Sequence, residues 1–162
     1  MVLAGCQDPV RQSAVDALGG EAPGVPRGPL HRPGQPCLLC HDEAGGRRPT
    51  FSVAGTVYAD PDGRKPLNQV KVLLEDESRR QVSTATNCAG NFYFGPGEYT
   101  LASGTRTWVV LSGGGETIEM ESPFYREGSC ATCHLDPLAP NSAGHIYLFA
   151  NGGPIPPELQ CP

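Results

Sequence analysis

The chain has no long apolar run, no basic cluster and almost no lysine. No stretch approaches the ~18 consecutive apolar residues of a membrane-spanning helix. Ten of the 12 basic residues are arginine, in runs no longer than the pairs Arg47-Arg48 and Arg79-Arg80. With a formal net charge of −5, this leaves no electrostatic footprint for nucleic acid. A phosphate-cradling glycine loop, a Gly-x-Ser-x-Gly elbow and a His-Glu-x-x-His pair are all missing. Gly113-Gly114-Gly115 reads as a hairpin loop, and Glu75, Asp76 and Glu77 as a solvated strand end.

Glycine and proline, by contrast, are abundant. Together they make up 38 of 162 residues, about twice the usual ~12%. Neither suits a helix interior, so an all-helical fold is excluded. The 38% hydrophobic content still supports a core. Seven cysteines are many for this length, and an odd number cannot all pair.

The order of textures divides the chain. Residues 1–6 end in Leu3-Ala4-Gly5-Cys6, which resembles a bacterial lipobox; the alternative is a chance run of small residues. The lipobox reading makes Cys6 a lipidated residue, holds the protein on a membrane surface outside the cytoplasm, and places most of a signal peptide upstream of Met1. Within 7–36, residues 7–20 predict a short helix with Val10, Ala14, Val15 and Leu18 on one face, stopped by Gly19-Gly20. Residues 21–36, with five prolines and three glycines, predict an extended tether. A first motif segment covers 37–50. From 51 to 121, short strands alternate with Gly, Pro, Asn and Asp turns, which predicts a mainly β fold, an antiparallel β-sandwich with little helix. Strands are expected at Phe51–Tyr58, Val70–Leu74, Gln81–Thr86, Phe92–Phe94, Tyr99–Leu101, Thr107–Leu111 and Thr117–Met120. Residues 122–162 carry a second motif, a last strand at His145–Phe149 and a Pro-rich tail.

Ala54-Gly-Thr-Val-Tyr58, Val70-Lys-Val-Leu-Leu74 and Thr86-Asn-Cys-Ala-Gly-Asn-Phe-Tyr93 resemble the carboxypeptidase regulatory-like (transthyretin-like) β-sandwich modules over roughly 51–111. The resemblance implies a structural or interaction unit. Cys88, inside the turn, departs from that pattern.

Two pentapeptides carry the chemistry: Cys37-Leu-Leu-Cys40-His41 and Cys130-Ala-Thr-Cys133-His134. Each is Cys-x-x-Cys-His, the attachment pattern of c-type haem. Two thioether bonds anchor one porphyrin edge, and the next side chain, His41 or His134, falls under the iron. One such pentapeptide is uncommon by chance and two far more so. The rival readings are a four-cysteine zinc site, redox dithiols and local disulfides; none of them accounts for a histidine directly after each pair.

With its sandwich flanked by these motifs, the whole chain resembles small extracytoplasmic di-haem c-type cytochrome lipoproteins. That resemblance implies two haem c groups, redox partner proteins and electron transfer rather than an enzymatic reaction. Only four histidines exist, so His31 and His145 are the candidate distal ligands, with Met120 a weaker one. Once Cys6 is set aside, Cys88 and Cys161 remain either as a disulfide or as two free thiols. The tether is expected to leave the first haem the more mobile or exposed, and the second is expected to pack on the sandwich. Competing functions are a zinc-stabilised interaction module, a small haem peroxidase with an open iron, and a redox or gas sensor.

Overall fold

The computed structural model describes residues 8–21, 23–25, 27–135 and 140–162. Cys6 and the lipobox lie outside these residues. The fold is mainly β, with two sheets facing one another across a shared core. One sheet contains β1 (Val53–Tyr58), β4 (Asn91–Phe94) and β7 (Ile146–Tyr147), in the order β4-β1-β7. The other runs β3-β2-β5-β6, from β2 (Lys71–Asp76), β3 (Gln81–Ala85), β5 (Thr107–Gly113) and β6 (Glu116–Glu119). All pairings are antiparallel except β1–β7, which is parallel, so the sandwich is not purely antiparallel.

Period-2 patterning explains the core. In β2, Val72 and Leu74 point inward while Lys71 is exposed; in β5, Thr107, Val109 and Leu111 do the same. They meet Val53, Val57, Phe92 and Phe94 from the other sheet. Each such fully buried apolar side chain contributes about 1.5–3 kcal/mol. Tyr99 is fully buried but is not in a strand, contrary to the expectation for Tyr99–Leu101. Its hydroxyl is bonded to Thr107 Oγ1 at 2.6 Å, which satisfies a polar group that a ladder would have left to water. The expected solvated strand end is a turn at Asp76, whose buried carboxylate accepts from the Ser78 hydroxyl and the Arg80 amide.

The Thr86–Asn91 turn is knitted by its own side chains. Thr86 Oγ1 donates to Leu67 O and accepts from Val70 N. Asn87 Oδ1 accepts from the amides of Ala89 and Asn91, and Gly90 supplies the positive φ of +73°. Cys88 in this turn is disulfide-bonded to Cys161, with Cα atoms 5.1 Å apart. The tail docks as well: Leu159 is buried in the core, and its carbonyl accepts from Asn68 N.

α1 (Pro9–Ala17) begins at Asp8, whose carboxylate caps the amides of Val10 and Arg11. Its apolar face differs from expectation. Val10 is 77% exposed and Ala14 is exposed, while Val15 and Leu18 line a cleft against the sandwich. Arg11 fixes the helix in place. Its guanidinium pairs with both carboxylate oxygens of Asp42 and donates to Leu39 O at 2.8 Å.

Candidate functional site

Both Cys-x-x-Cys-His segments fold into a single helical turn. The first is α2 (Leu38–His41), where His41 N donates to Cys37 O at 2.9 Å. The second is a 3-10 turn over Cys130–Thr132, where His134 N donates to Cys130 O, again at 2.9 Å. A turn of this kind places residues i, i+3 and i+4 on one side. The two cysteines and the histidine of each motif therefore share a face, which is what attachment at one porphyrin edge requires.

β1 brings the motifs together. His41 O accepts from Phe51 N just before the strand, at 2.7 Å. Where β7 does not reach, Gly128 and Ser129 pair with β1 instead, and Ala54 N donates to Gly128 O at 2.9 Å. A side chain at Gly128 would strike Ser52 O, and its position is closed off by Leu38 of the first motif. Cys130 sits over Gly55 beside Phe92. Motifs 93 residues apart in sequence are thus neighbours beside the start of β1.

The tether does not behave as the sequence suggested. It lies on the outer face of β1 and β4, held by hydrogen bonds that no periodicity signals. Asn91 Nδ2 donates to Pro29 O and His31 O at 3.2 and 3.0 Å, and Asn87 Nδ2 donates to Pro29 O at 2.7 Å. Gly34 N donates to Thr56 Oγ1, which in turn donates to Asn91 Oδ1, both at 2.8 Å. The segment expected to be looser is docked on the sandwich. Cys37, Cys40 and Cys130 are half-buried, while Cys133 and its neighbour Leu135 are exposed.

Docking the tether sets His31 against His41, with ring centres 5.8 Å apart and planes at 74°. A metal–imidazole bond of about 2.0 Å plus about 1 Å to the ring centre puts two rings on opposite sides of one ion roughly 6 Å apart. The observed spacing is close to this and also lies in the roughly 4.5–7 Å range of an edge-to-face ring pair. A cleft of about 600 Å³ opens here, lined by His31, Cys37, Cys40, His41, Phe51 and Tyr93 with arginines 27, 47 and 48 at its rim. That volume falls within the roughly 300–1,000 Å³ of cofactor sites. His41 is braced from behind, stacked on Phe51 at 4.8 Å, with Phe51 stacked on Tyr93 at 4.6 Å.

All four histidines share one hydrogen-bonding pattern. Nδ1 of His41 faces Pro49 O at 2.7 Å, that of His134 faces Gly144 O at 2.9 Å and that of His145 faces Pro61 O at 2.9 Å. Nδ1 of His31 faces Glu21 Oε1 at 3.2 Å. Carbonyl and carboxylate oxygens only accept, so Nδ1 is the donor in each of these pairs. Metal-ligating histidines are prepared in this way. Cys37, Cys40, His41 and His31, which line the first cleft, are the donor types that a haem c would take.

The second pair is arranged differently. The 140–145 loop folds back on its motif through Ala143 N to Cys133 O at 2.8 Å. His145 packs edge-on against Tyr58 with centroids 5.1 Å apart; its ring is not stacked against that of His134. Met120 packs on the sandwich core and is not among the residues lining the first cleft, so its packing is that of a core side chain.

Burial pushes the Cys37 thiol up to about 11 and the Cys130 thiol up to about 12, the latter also feeling Cys37. Such thiols are poor nucleophiles at neutral pH, which disfavours a redox dithiol. Among the described residues, no group of three or more His, Cys, Asp or Glu gathers as a metal cluster. No described helix is long and apolar enough to cross a membrane.

Sequence reasoning missed Glu21, Thr56, Asn87 and Asn91. The two asparagines were legible only as turn formers, and nothing local marks the other two.

What fold and site together define is a β-sandwich carrying two one-turn Cys-x-x-Cys-His segments beside the start of β1. Comparison with protein-family models, with curated proteins and with solved structures gives no match.

Proposed function

We propose that this protein is a di-haem c-type cytochrome that transfers electrons outside the cytoplasm. The observation that carries the reading is the shared one-turn geometry of the two motifs, set beside the start of β1, with Nδ1 of every histidine bonded to an oxygen among the described residues. Cys37 and Cys40 would hold one haem, and Cys130 and Cys133 the other, through thioether bonds. His41 and His134 are the proximal ligands in this reading, and His31 and His145 the distal ones. Haem bound there supplies a one-electron Fe(III)/Fe(II) couple.

The chain's own residues orient and shield. Asn91 and Thr56 hold His31 opposite His41, Phe51 and Tyr93 brace His41, and Val15 and Leu18 close the cleft with apolar surface. If His31 and His41 both held an iron in the first cleft, no position would be left there for peroxide or gas, which would favour a carrier over a peroxidase or sensor. The Cys88–Cys161 disulfide supports an oxidising compartment. In this reading Cys6 carries a lipid and holds the protein on a membrane surface, where its partners are other redox proteins. Protein matured in a periplasm should show a pyridine haemochrome of two haems per chain. A colourless, fully folded product would overturn the reading.

A further inference from the structure

The four histidines differ in what their Nδ1 protons meet. His41, His134 and His145 donate to neutral backbone carbonyls. His31 alone donates to a carboxylate, Glu21 Oε1, at 3.2 Å. That oxygen also accepts from Arg32 Nε at 3.2 Å. Arg32 is held in turn, donating to Gln35 Oε1 at 2.7 Å and to Gly19 O at 2.8 Å. The carboxylate is thus fixed by a guanidinium that is itself fixed at two further points. Glu21 Oε2 is buried and, among the described residues, has no partner. No competing donor draws charge to that oxygen. A surface ion pair would leave it to water.

From this contrast we infer that Glu21 is a positioning residue for the first haem site, locking the His31 ring and strengthening its electron donation through Nε2. The inference rests on the proposed role of His31 as a distal ligand. A hydrogen bond from Nδ1 to an anion gives the imidazole partial imidazolate character and makes it a stronger donor than one bonded to a carbonyl. A stronger donor favours the ferric state. The two sites are therefore unequal by construction: one pair of histidines includes a carboxylate-backed ring, while the other is backed by carbonyls on both sides.

The test uses the full-length matured protein. Glu21→Gln keeps the shape and an acceptor oxygen but removes the charge. It should raise the midpoint potential of one haem by about tenfold in the redox equilibrium, ~59 mV for one electron, and leave the other unmoved. The low-spin electron paramagnetic resonance g-values of the same ferric haem should shift with it. Arg32→Gln should act in the opposite direction, lowering that potential, because the carboxylate then has His31 as its only donor. If Glu21→Gln does not fold, Arg32→Gln alone decides, and an unmoved potential overturns the inference. Two attached haems with unchanged potentials and g-values in Glu21→Gln also overturn it while leaving the proposed function standing. Wild-type protein without haem would sink the proposed function instead, a result read directly from the haemochrome.

Discussion

Asn91 is the residue through which the sandwich holds the candidate distal ligand, and its removal has a calculable effect. Its side chain is 6% exposed and makes three hydrogen bonds, to Pro29 O, His31 O and Thr56 Oγ1. Asn91→Ala deletes all three and leaves the Thr56 hydroxyl short of an acceptor. At about 1 kcal/mol net per bond, the 29–34 segment loses roughly 2–3 kcal/mol of its attachment to β1 and β4. With 1.4 kcal/mol per tenfold, the docked state should become about 30- to 100-fold less favoured over the open one. Hydrogen exchange reads this without any haem, since the Gly34 amide is protected only through Thr56. Its exchange should accelerate by about that factor, while the amides of β2 and β5 stay slow. In matured protein, one low-spin iron should become partly high-spin. Unchanged exchange at Gly34 in a folded Asn91→Ala protein would refute the claim that this network holds the tether. Asn87→Ala, which loses a single bond to Pro29 O, should show a smaller effect of the same kind.

Three other outcomes are expected. Cys161→Ala opens a disulfide loop spanning 73 residues, which should cost about 4 kcal/mol of stability by loop-closure entropy; chemical denaturation of oxidised wild type against the variant measures it, and equal midpoints would contradict the pairing. Gly55→Ala would place a methyl 2.9 Å from Cys130 Cβ and from the Phe92 ring, costing about 1–3 kcal/mol by overpacking. The damage should appear first as altered packing at the second motif, seen as lower haem occupancy there. Arg11→Ala removes a part-exposed bidentate pair with Asp42 and the bond to Leu39 O, so α1 should become sensitive to limited proteolysis at a cost of about 1–2 kcal/mol while the sandwich melts as before.

Much of the local structure was legible. The strands expected at Val70–Leu74 and Thr107–Leu111 form as Lys71–Asp76 and Thr107–Gly113, where one face of each leaves water. The turn at Thr86–Asn91 was legible because Asn87 and Gly90 can adopt few other conformations cheaply. Tyr99 misled because burial, not strand pairing, is what its aromatic ring and Thr107-bonded hydroxyl satisfy. Val10 misled because helical spacing does not say which side of a short helix meets the protein; Arg11 and Asp42 decide that from 31 residues apart. The parallel β1–β7 pair was hidden because β7 contributes only two residues to it.

By itself, the sequence determined the β class, the turns and the internal geometry of each Cys-x-x-Cys-His segment. All of these depend on neighbours within four residues, where spacing and side-chain chemistry leave few options. Only the tertiary structure decided that the two motifs meet beside the start of β1, that the Gly/Pro tether is docked rather than free, and that His31 packs against His41 with Glu21 bonded to its Nδ1. Those relations come from hydrogen bonds between residues 10 to 62 positions apart. Such bonds form only after the sandwich has brought their partners together, so no spacing along the chain encodes them.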